Sequence, residues 1–178
     1  AAGEAVRYEV DGDAYEGWYE AATGPSRGLV LIVHDWDGLT DYEQRRATML
    51  AEAGFDVFAA DLFGAGIRPE KVEDRRQHTG ELYRDRDKMR RLMNAALDEA
   101  AARGAPRARA VAAGYCFGGA AVLELGRAPA QEDGNVARAV EGPLGGQALV
   151  NALDGEVPGK LQEVPNADCR IGGGEPDR

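Results

Sequence analysis

The alternation of apolar and polar residues predicts a β-hairpin at the start of the chain and a buried strand after it. Strand-forming residues fill positions 6–10 and 14–21, and the Asp11-Gly12 pair between them is typical of a hairpin turn. Residues 28–33 then form an unbroken apolar run, GLVLIV. Such a run is typical of a strand that helices cover on both faces, as in a parallel sheet.

The next segment predicts a helix whose two ends are both marked. Thr40 and Glu43 have the spacing of a capping box, in which the hydroxyl and the carboxylate each bind a backbone N–H at the helix start. An apolar stripe at helical spacing follows, and Gly54 suits the position just past a helix end.

Two further strands and one long helix come next. Residues 55–60 are the next predicted strand and lead into a glycine-rich loop at 61–69. Apolar residues at helical spacing then predict a single helix over about 82–103, which stops at Gly104. Residues 109–113 are the next strand.

The order of these elements sets the expected fold class. A helix begins within residues 120–125, and residues 136–140 are a candidate for one more strand. Strands that alternate with helices favour a parallel, doubly wound sheet. We therefore expect an α/β protein, a three-layer α/β/α sandwich with a mostly parallel sheet that is incomplete on its C-terminal side.

The bulk composition predicts one acidic domain. A length of 178 residues suits a single domain with its own core, and a net charge of −10 disfavours nucleic-acid binding. The longest apolar run is too short to span a bilayer, so neither nucleic acid nor a membrane is expected as a partner. No signal-peptide pattern opens the sequence and two cysteines make no disulfide scaffold, which predicts a cytoplasmic location.

The C-terminal third differs in kind from the rest. All twelve aromatic residues lie at or before Phe117, and both histidines, His34 and His78, also lie in this first part. Glycine and proline become frequent instead from residue 130 onward. We therefore expect one domain, 1–178, in which residues 128–178 form a divergent Gly/Pro-rich tail behind the regular part, 1–127.

A glycine-rich turn carries the main chemical signal. Residues 114–119 read GYCFGG between a predicted strand and a predicted helix, which is the context of a nucleophile elbow. Cys116 would be the nucleophile, with its thiol pKa lowered by the helix N-terminus, and the Phe117 N–H would face a developing oxyanion. In the alternative interpretation, Cys116 is a small buried apolar residue and the glycines only pack a helix on a strand.

A second segment supports the elbow. Residues 33–39 leave the first buried strand at its C-terminal end, where ligands bind in open α/β sheets. The Trp36 N–H is the candidate for a second oxyanion donor, and Asp35 is expected close enough to Cys116 to influence its ionisation. Alternatively, Asp35 and Asp37 provide ordinary loop polarity and helix capping.

These segments resemble the dienelactone hydrolase family. The resemblance rests on residues 29–69, on YRDR at 83–86 and on GYCFGGAAVLE at 114–124. It implies an α/β-hydrolase fold, a Cys-His-Asp triad, and hydrolysis of small lactones or carboxylic esters with no metal and no organic cofactor. The family usually has Glu near the cysteine, where this chain has the shorter Asp35. Arg86 would bind a substrate carboxylate, or would be a solvated helix charge.

The sequence has no histidine at the place in the chain where the triad of the family would require one. In α/β-hydrolases the acid and then the histidine follow the nucleophile, but no histidine follows His78. Asp168 has a plausible interval for the acid, although chance is the better explanation of its position. His34 is a substitute base only if its ring turns toward the thiol; a hydrogen-bonded strand-end residue is the alternative. His78 is expected to be a solvated surface residue.

Three interpretations follow from the sequence. The first is a cysteine-dependent ester or lactone hydrolase, and the second is a truncated or catalytically incomplete member of the same family with little turnover. The third, a nucleotide-binding domain, has only a glycine-rich turn in its favour, and the turn lacks the G-x-G-x-x-G spacing. An incomplete sheet also predicts self-association through its open edge.

Overall fold

The elements of the computed structural model follow the predicted order closely. The structure describes residues 2–127, 138–141 and 147–151, so Asp168 and most of the predicted tail lie outside the described residues. The strands are β1 (Glu4–Val10), β2 (Asp13–Glu20), β3 (Leu29–Val33), β4 (Asp56–Ala60), β5 (Ala110–Tyr115), β6 (Arg138–Glu141) and β7 (Gln147–Asn151). The α-helices are α1 (Asp41–Glu52), α2 (Val72–Arg84), α3 (Arg86–Ala102) and α4 (Phe117–Arg127).

The strands form one mixed sheet in the order β1-β2-β4-β3-β5-β7-β6. Its centre is parallel, because β3 pairs in parallel with both β4 and β5. The strands on either side pair antiparallel: β1 and β2 on one side, β7 and β6 on the other. Every residue of β3 is buried, as its continuous apolar run predicted, and every residue of β4 is buried as well.

Helices cover both faces of this sheet, which confirms the predicted α/β/α class. On one face α1 packs Ala47 and Leu50 against the apolar residues of β3 and β4. On the other face α3 and α4 form the larger core, in which Met89, Leu92 and Val122 are buried. The carboxyl ends of β3 and β5 therefore lie side by side between two helical layers.

The hairpin turn has the backbone that its sequence predicted. Asp11 has φ of 54° and Gly12 has φ of 85°, so both central residues adopt the positive φ that a type I′ turn requires. Strands β1 and β2 pair in register on either side of this turn. An ion pair of 3.0 Å between Arg91 and Asp11 joins the turn to α3.

The predicted capping box at the start of α1 is confirmed. Thr40 Oγ1 accepts from the Tyr42 N–H at 3.3 Å, and Glu43 Oε2 accepts from the Thr40 N–H at 2.8 Å. Glu43 is buried, and this burial raises the pKa of its carboxyl. Gly54, with φ of 94°, follows the helix as expected.

Removing this cap is expected to weaken the domain measurably. Thr40→Ala should lower the free energy of unfolding by about 1 kcal/mol, because it leaves N–H groups at the helix start without their side-chain acceptor. Urea titration measures the change. Lys71→Ala is the matched control, since Lys71 caps α2 without any side-chain hydrogen bond; equal losses in the two variants would contradict the assigned role of Thr40.

The long helix predicted over 82–103 is confirmed for residues 86–102, but its predicted start is wrong. The chain forms two helices here, α2 and α3, which meet at Asp85. Asp85 has φ of −121° and ψ of 76°, outside the helical region, and its carboxylate accepts from the Lys88 N–H at 3.0 Å. An N-cap therefore interrupts the apolar pattern. No apolar residues at helical spacing mark α2 in the sequence, because Leu82 is its only fully buried residue.

The later elements agree with the expectations where they are described. Helix α4 begins at Phe117, three residues earlier than predicted, and β6 overlaps the candidate strand at 136–140. Among the described strands, β1 and β6 are the sheet edges, so self-association through an edge stays a prediction that sedimentation velocity can test. No helix in the described ranges is long and apolar enough to cross a membrane.

Candidate active site

Cys116 lies at the sharp turn between β5 and α4. Tyr115 is the last residue of the strand and Phe117 is the first residue of the helix, so a single residue makes the connection. Cys116 has φ of 51°, which is rare for a residue other than glycine. Its side chain is exposed, so it is not a small buried apolar residue. Strained backbone of this kind is typical of nucleophile elbows.

The glycines around Cys116 are required by close backbone contacts. A Cβ on Gly114 would lie closer than 3.0 Å to the backbone of Gly118, and a Cβ on Gly118 would lie equally close to the carbonyl oxygens of Val33 and His34. No side chain can relieve such contacts, because backbone atoms make them. The sequence pattern therefore reflects a helix start that packs directly on β5 and on the end of β3.

Phe117, the residue after Cys116, is fixed by its packing. Phe117 is buried, and its ring contacts those of Phe63 at 5.7 Å and Tyr83 at 5.6 Å between centroids. Its N–H belongs to the first turn of α4, where N–H groups have no acceptor within the helix. The same helix end carries partial positive charge. This arrangement suits a fixed donor for an oxyanion beside Cys116.

The second predicted donor is engaged by the side chain that precedes it. The Trp36 N–H donates to Asp35 Oδ1 at 2.6 Å. Both residues are half-buried in the loop between β3 and α1. A substrate oxyanion would therefore have to replace the Asp35 carboxylate as the acceptor of this N–H.

His34 has both of its ring nitrogens committed to the backbone. Nε2 accepts from the Leu62 N–H at 3.0 Å, so Nδ1 carries the proton and donates to the Asp35 carbonyl oxygen at 2.6 Å. The ring is fully buried, and burial lowers its pKa. His34 is thus a neutral, hydrogen-bonded strand-end residue with no nitrogen left to accept a thiol proton.

This environment predicts an acid-dependent loss of stability. Because the pKa of His34 is lower in the folded state, the unfolded chain takes up the proton first as the pH falls below about 6.5. The stabilisation is complete above that pH and declines below it, by at most about 1.4 kcal/mol per pH unit. Urea titrations at several pH values measure this slope.

Variants assign the slope to one imidazole. His34→Gln should reduce the loss between pH 6.5 and 5, whereas His78→Gln, which leaves His34 in place, should keep it. If the His34→Gln protein loses stability with the same slope as the unchanged protein, the buried imidazole is not its source.

Arg86 is bound by a buried carboxylate from another helix. Its Nη1 donates to Glu124 Oε2 at 2.9 Å, and Arg90 also pairs with Glu124. The Arg86 side chain is still 54% exposed. It is therefore neither an unpaired solvated charge nor fully neutralised inside the protein, and it remains available to a ligand from the solvent side.

Tyr83 is a site residue that the sequence interpretation did not assign. It is 44% exposed, and its ring packs edge-on against Phe117. Burial raises the pKa of its phenol, the charges of Cys116 and Asp35 raise it further, and Arg86 opposes them. Tyr83 therefore lies within electrostatic range of all three. Its only sequence signal was membership of the YRDR segment.

Helix α2 brings two more side chains to this region. The guanidinium of Arg75 lies over the Trp36 ring at 5.4 Å, and the His78 ring stacks on Phe63 at 5.1 Å. His78 is half-buried. The expectation of a solvated surface histidine is therefore wrong: a helix that the sequence did not predict packs this residue against the loop after β4.

The described residues also limit what else the site contains. Within the part of the chain that the structure describes, no three His, Cys, Asp or Glu side chains are grouped so that they could hold a metal ion. The candidate acid Asp168 lies outside the described residues.

The turn at Cys116 and the loop between β3 and α1 lie in a segment that matches a known family. This loop, residues 34–40, is called the oxyanion loop below, after the donor predicted in it. Residues 16–141, more than half of the chain, match the model of the dienelactone hydrolase family. The chain belongs to the dienelactone hydrolase family. The predicted resemblance is thereby confirmed, and the glycine-rich turn gives no remaining support to a nucleotide-binding domain.

Solved structures agree with this family assignment. A structure named m3DLH is 33% identical and has a TM-score of 0.66; the match covers 70% of this chain and 53% of that one. A dienelactone hydrolase-like promiscuous phosphotriesterase, P91, from metagenomic libraries is 31% identical, with a TM-score of 0.65 and coverage of 71% and 54%. A cold-adapted esterase from an Arctic intertidal metagenomic library is 25% identical, with a TM-score of 0.59 and coverage of 71% and 55%.

This dienelactone hydrolase family member spans about half the length of those relatives. No curated protein matches the chain. The matched part includes the parallel centre of the sheet, the turn at Cys116 and the loop between β3 and α1.

Proposed function

We propose that this protein hydrolyses small carboxylic esters or lactones with Cys116 as the nucleophile. One observation carries the proposal: an exposed cysteine with φ of 51° joins β5 to α4 where neighbouring glycines leave no room for a Cβ. A strained, exposed thiol at a helix N-terminus is poorly explained by packing, and it suits attack on a carbonyl carbon.

The proposed acylation step uses Asp35 as the base and two backbone N–H groups as oxyanion donors. The Asp35 carboxylate takes the thiol proton, and the thiolate attacks the carbonyl carbon. The Phe117 N–H, and the Trp36 N–H once it leaves Asp35, bind the negative oxygen of the tetrahedral intermediate. The intermediate then expels the alkoxide, which takes the proton from Asp35 and leaves a thioester on Cys116. Water hydrolyses the thioester to release the acid and restore the thiol.

The surroundings favour a small substrate with an anionic group. Arg86, half-exposed and held by Glu124, is the proposed partner for a carboxylate on the ester or lactone. The Tyr83 phenol is proposed to donate a hydrogen bond to the sulfur of Cys116, because its ring packs against Phe117, the next residue, at 5.6 Å between centroids. Relatives named as an esterase and as a promiscuous phosphotriesterase are consistent with an adaptable site of this type.

A second candidate is a family member that acylates but turns over slowly. The observation that favours it is the engagement of both His34 ring nitrogens, together with the lack of any histidine after His78 in this sequence. Because the backbone binds both nitrogens of His34, this imidazole cannot act as the general base for the attack of water on the thioester.

Rapid mixing with p-nitrophenyl acetate separates the two candidates. A steady release of many equivalents of p-nitrophenolate supports the hydrolase. A burst of one equivalent followed by a much slower phase supports the incomplete enzyme. Release at the rate of the uncatalysed reaction, with no burst, would contradict both.

A further inference from the structure

Helix α2 packs little of its surface into the protein core. Leu82 is its only fully buried residue, and its N-cap, Lys71, makes no side-chain hydrogen bond. Three of its other residues nevertheless contact the oxyanion loop or the residues that surround the elbow: Arg75, His78 and Tyr83. The helix therefore lies against the site along most of its length.

Arg75 makes two contacts that join separate loops. Its guanidinium carbon lies 5.4 Å from the centre of the Trp36 ring, and its Nε–H donates to the Pro69 carbonyl oxygen at 2.9 Å. The first contact is a cation–π interaction with the oxyanion loop, and the second fixes the guanidinium to the loop that precedes α2. One side chain thus ties the Trp36 indole to the α2 region.

We infer that Arg75 is a positioning residue that aims the Trp36 N–H at the reacting oxygen. The inference rests on the proposed function, in which this N–H is an oxyanion donor. A guanidinium that lies over the indole restricts rotation of the Trp36 side chain and of the backbone that carries it. Lysine keeps the charge but lacks the planar group, so it should replace Arg75 only in part.

The position of this N–H matters because the donor has to change partners. In the resting site it binds Asp35 Oδ1, and during acylation it has to bind the substrate oxygen without the loop moving away. A displacement of about 1 Å in such a donor can cost about a hundredfold in rate. Arg75 limits that displacement although it does not itself touch the substrate.

The test compares Arg75→Gln with Arg76→Gln, a matched control at the neighbouring, exposed position of the same helix. We expect the acylation rate of Cys116 by p-nitrophenyl acetate to fall about tenfold or more in Arg75→Gln, with half-saturation changed less than about twofold. Arg75→Lys should lie between, and Arg76→Gln should match the unchanged protein. A simple loss of substrate binding would instead raise the half-saturation concentration.

A double-mutant cycle tests whether Arg75 acts through Trp36. Trp36→Leu removes the ring and keeps the N–H, so Arg75→Gln should have little further effect on acylation in that background. Fully additive effects, or an unchanged rate in Arg75→Gln, would overturn the inference.

Fluorescence gives a readout that needs no catalysis. Acrylamide should quench Trp36 more strongly in Arg75→Gln than in Arg76→Gln, and the Trp36→Phe protein supplies the Trp18 contribution. If the unchanged protein shows no acylation, the proposed function fails, and quenching alone then decides whether Arg75 holds the indole. Equal quenching in the two variants would overturn the inference independently of activity.

Discussion

Replacing Cys116 with alanine is expected to lower the rate of ester cleavage by about a thousandfold or more while the protein stays folded. The side chain is exposed, so its loss creates no cavity in the core. Removing the sulfur takes away the only proposed nucleophile, and the remaining oxyanion donors cannot form a covalent intermediate. Stopped-flow release of p-nitrophenolate measures the change, and circular dichroism checks the fold.

The second cysteine supplies the control for this prediction. Cys169→Ser removes the other thiol of the chain and should leave the burst unchanged. A Cys116→Ala protein that keeps more than about a tenth of the burst rate would show that another group attacks the ester.

Gly114→Ala should prevent stable folding rather than reduce activity alone. The new Cβ would lie closer than 3.0 Å to backbone atoms of Gly118, and only a shift of α4 away from β5 could relieve the contact. That shift would open the core on which α4 packs, so we expect a loss of about 4 kcal/mol or more, against a typical total stability of about 5–15 kcal/mol. Urea or thermal unfolding measures it.

A glycine on α2 provides the comparison. At Gly80 a Cβ would meet only the flexible end of the Arg84 side chain, at 3.2 Å. Gly80→Ala should therefore be neutral or raise the free energy of unfolding by up to about 1 kcal/mol, because alanine favours helix. Similar stabilities for the two alanine variants would contradict the close packing assigned to the elbow.

The elements that were predicted correctly have local causes. The hairpin depends on Asp11 and Gly12, which tolerate positive φ, and α1 depends on two side chains three residues apart. The continuous apolar run of β3 correctly predicted burial on both faces. In each case the residues that determine the structure are neighbours in the chain, so the pattern alone is sufficient.

Helix α2 was missed because its determinants are distant contacts. It has one fully buried residue and therefore no apolar period. What places it is the packing of Arg75 on Trp36 and of His78 on Phe63, which are 39 and 15 residues apart in sequence (75 − 36 and 78 − 63). No local pattern marks such pairs, and the apolar spacing that continues into α3 hid the cap at Asp85.

In the candidate site, too, features that depend on neighbouring residues were predicted, and contacts between distant residues were not. The sharp turn at Cys116 was predicted because its close backbone contacts require glycine at neighbouring positions in the chain. The oxyanion donors stay a prediction. The partner of Arg86 was not predicted, because Glu124 lies 38 residues away on another helix. A hydrogen-bonded strand-end residue was one of the two interpretations of His34, but its partner, the Leu62 N–H after the neighbouring strand, was not predicted.

The most direct test of a cysteine nucleophile is to identify the acylated residue. The protein is mixed with p-nitrophenyl acetate, quenched in acid within the burst, digested and analysed by mass spectrometry. We predict one acetyl group on the peptide that contains Cys116, and none on that peptide in Cys116→Ala. An acetyl group on Cys169 or on a lysine instead, or a burst with Cys116 left unmodified, would contradict the account.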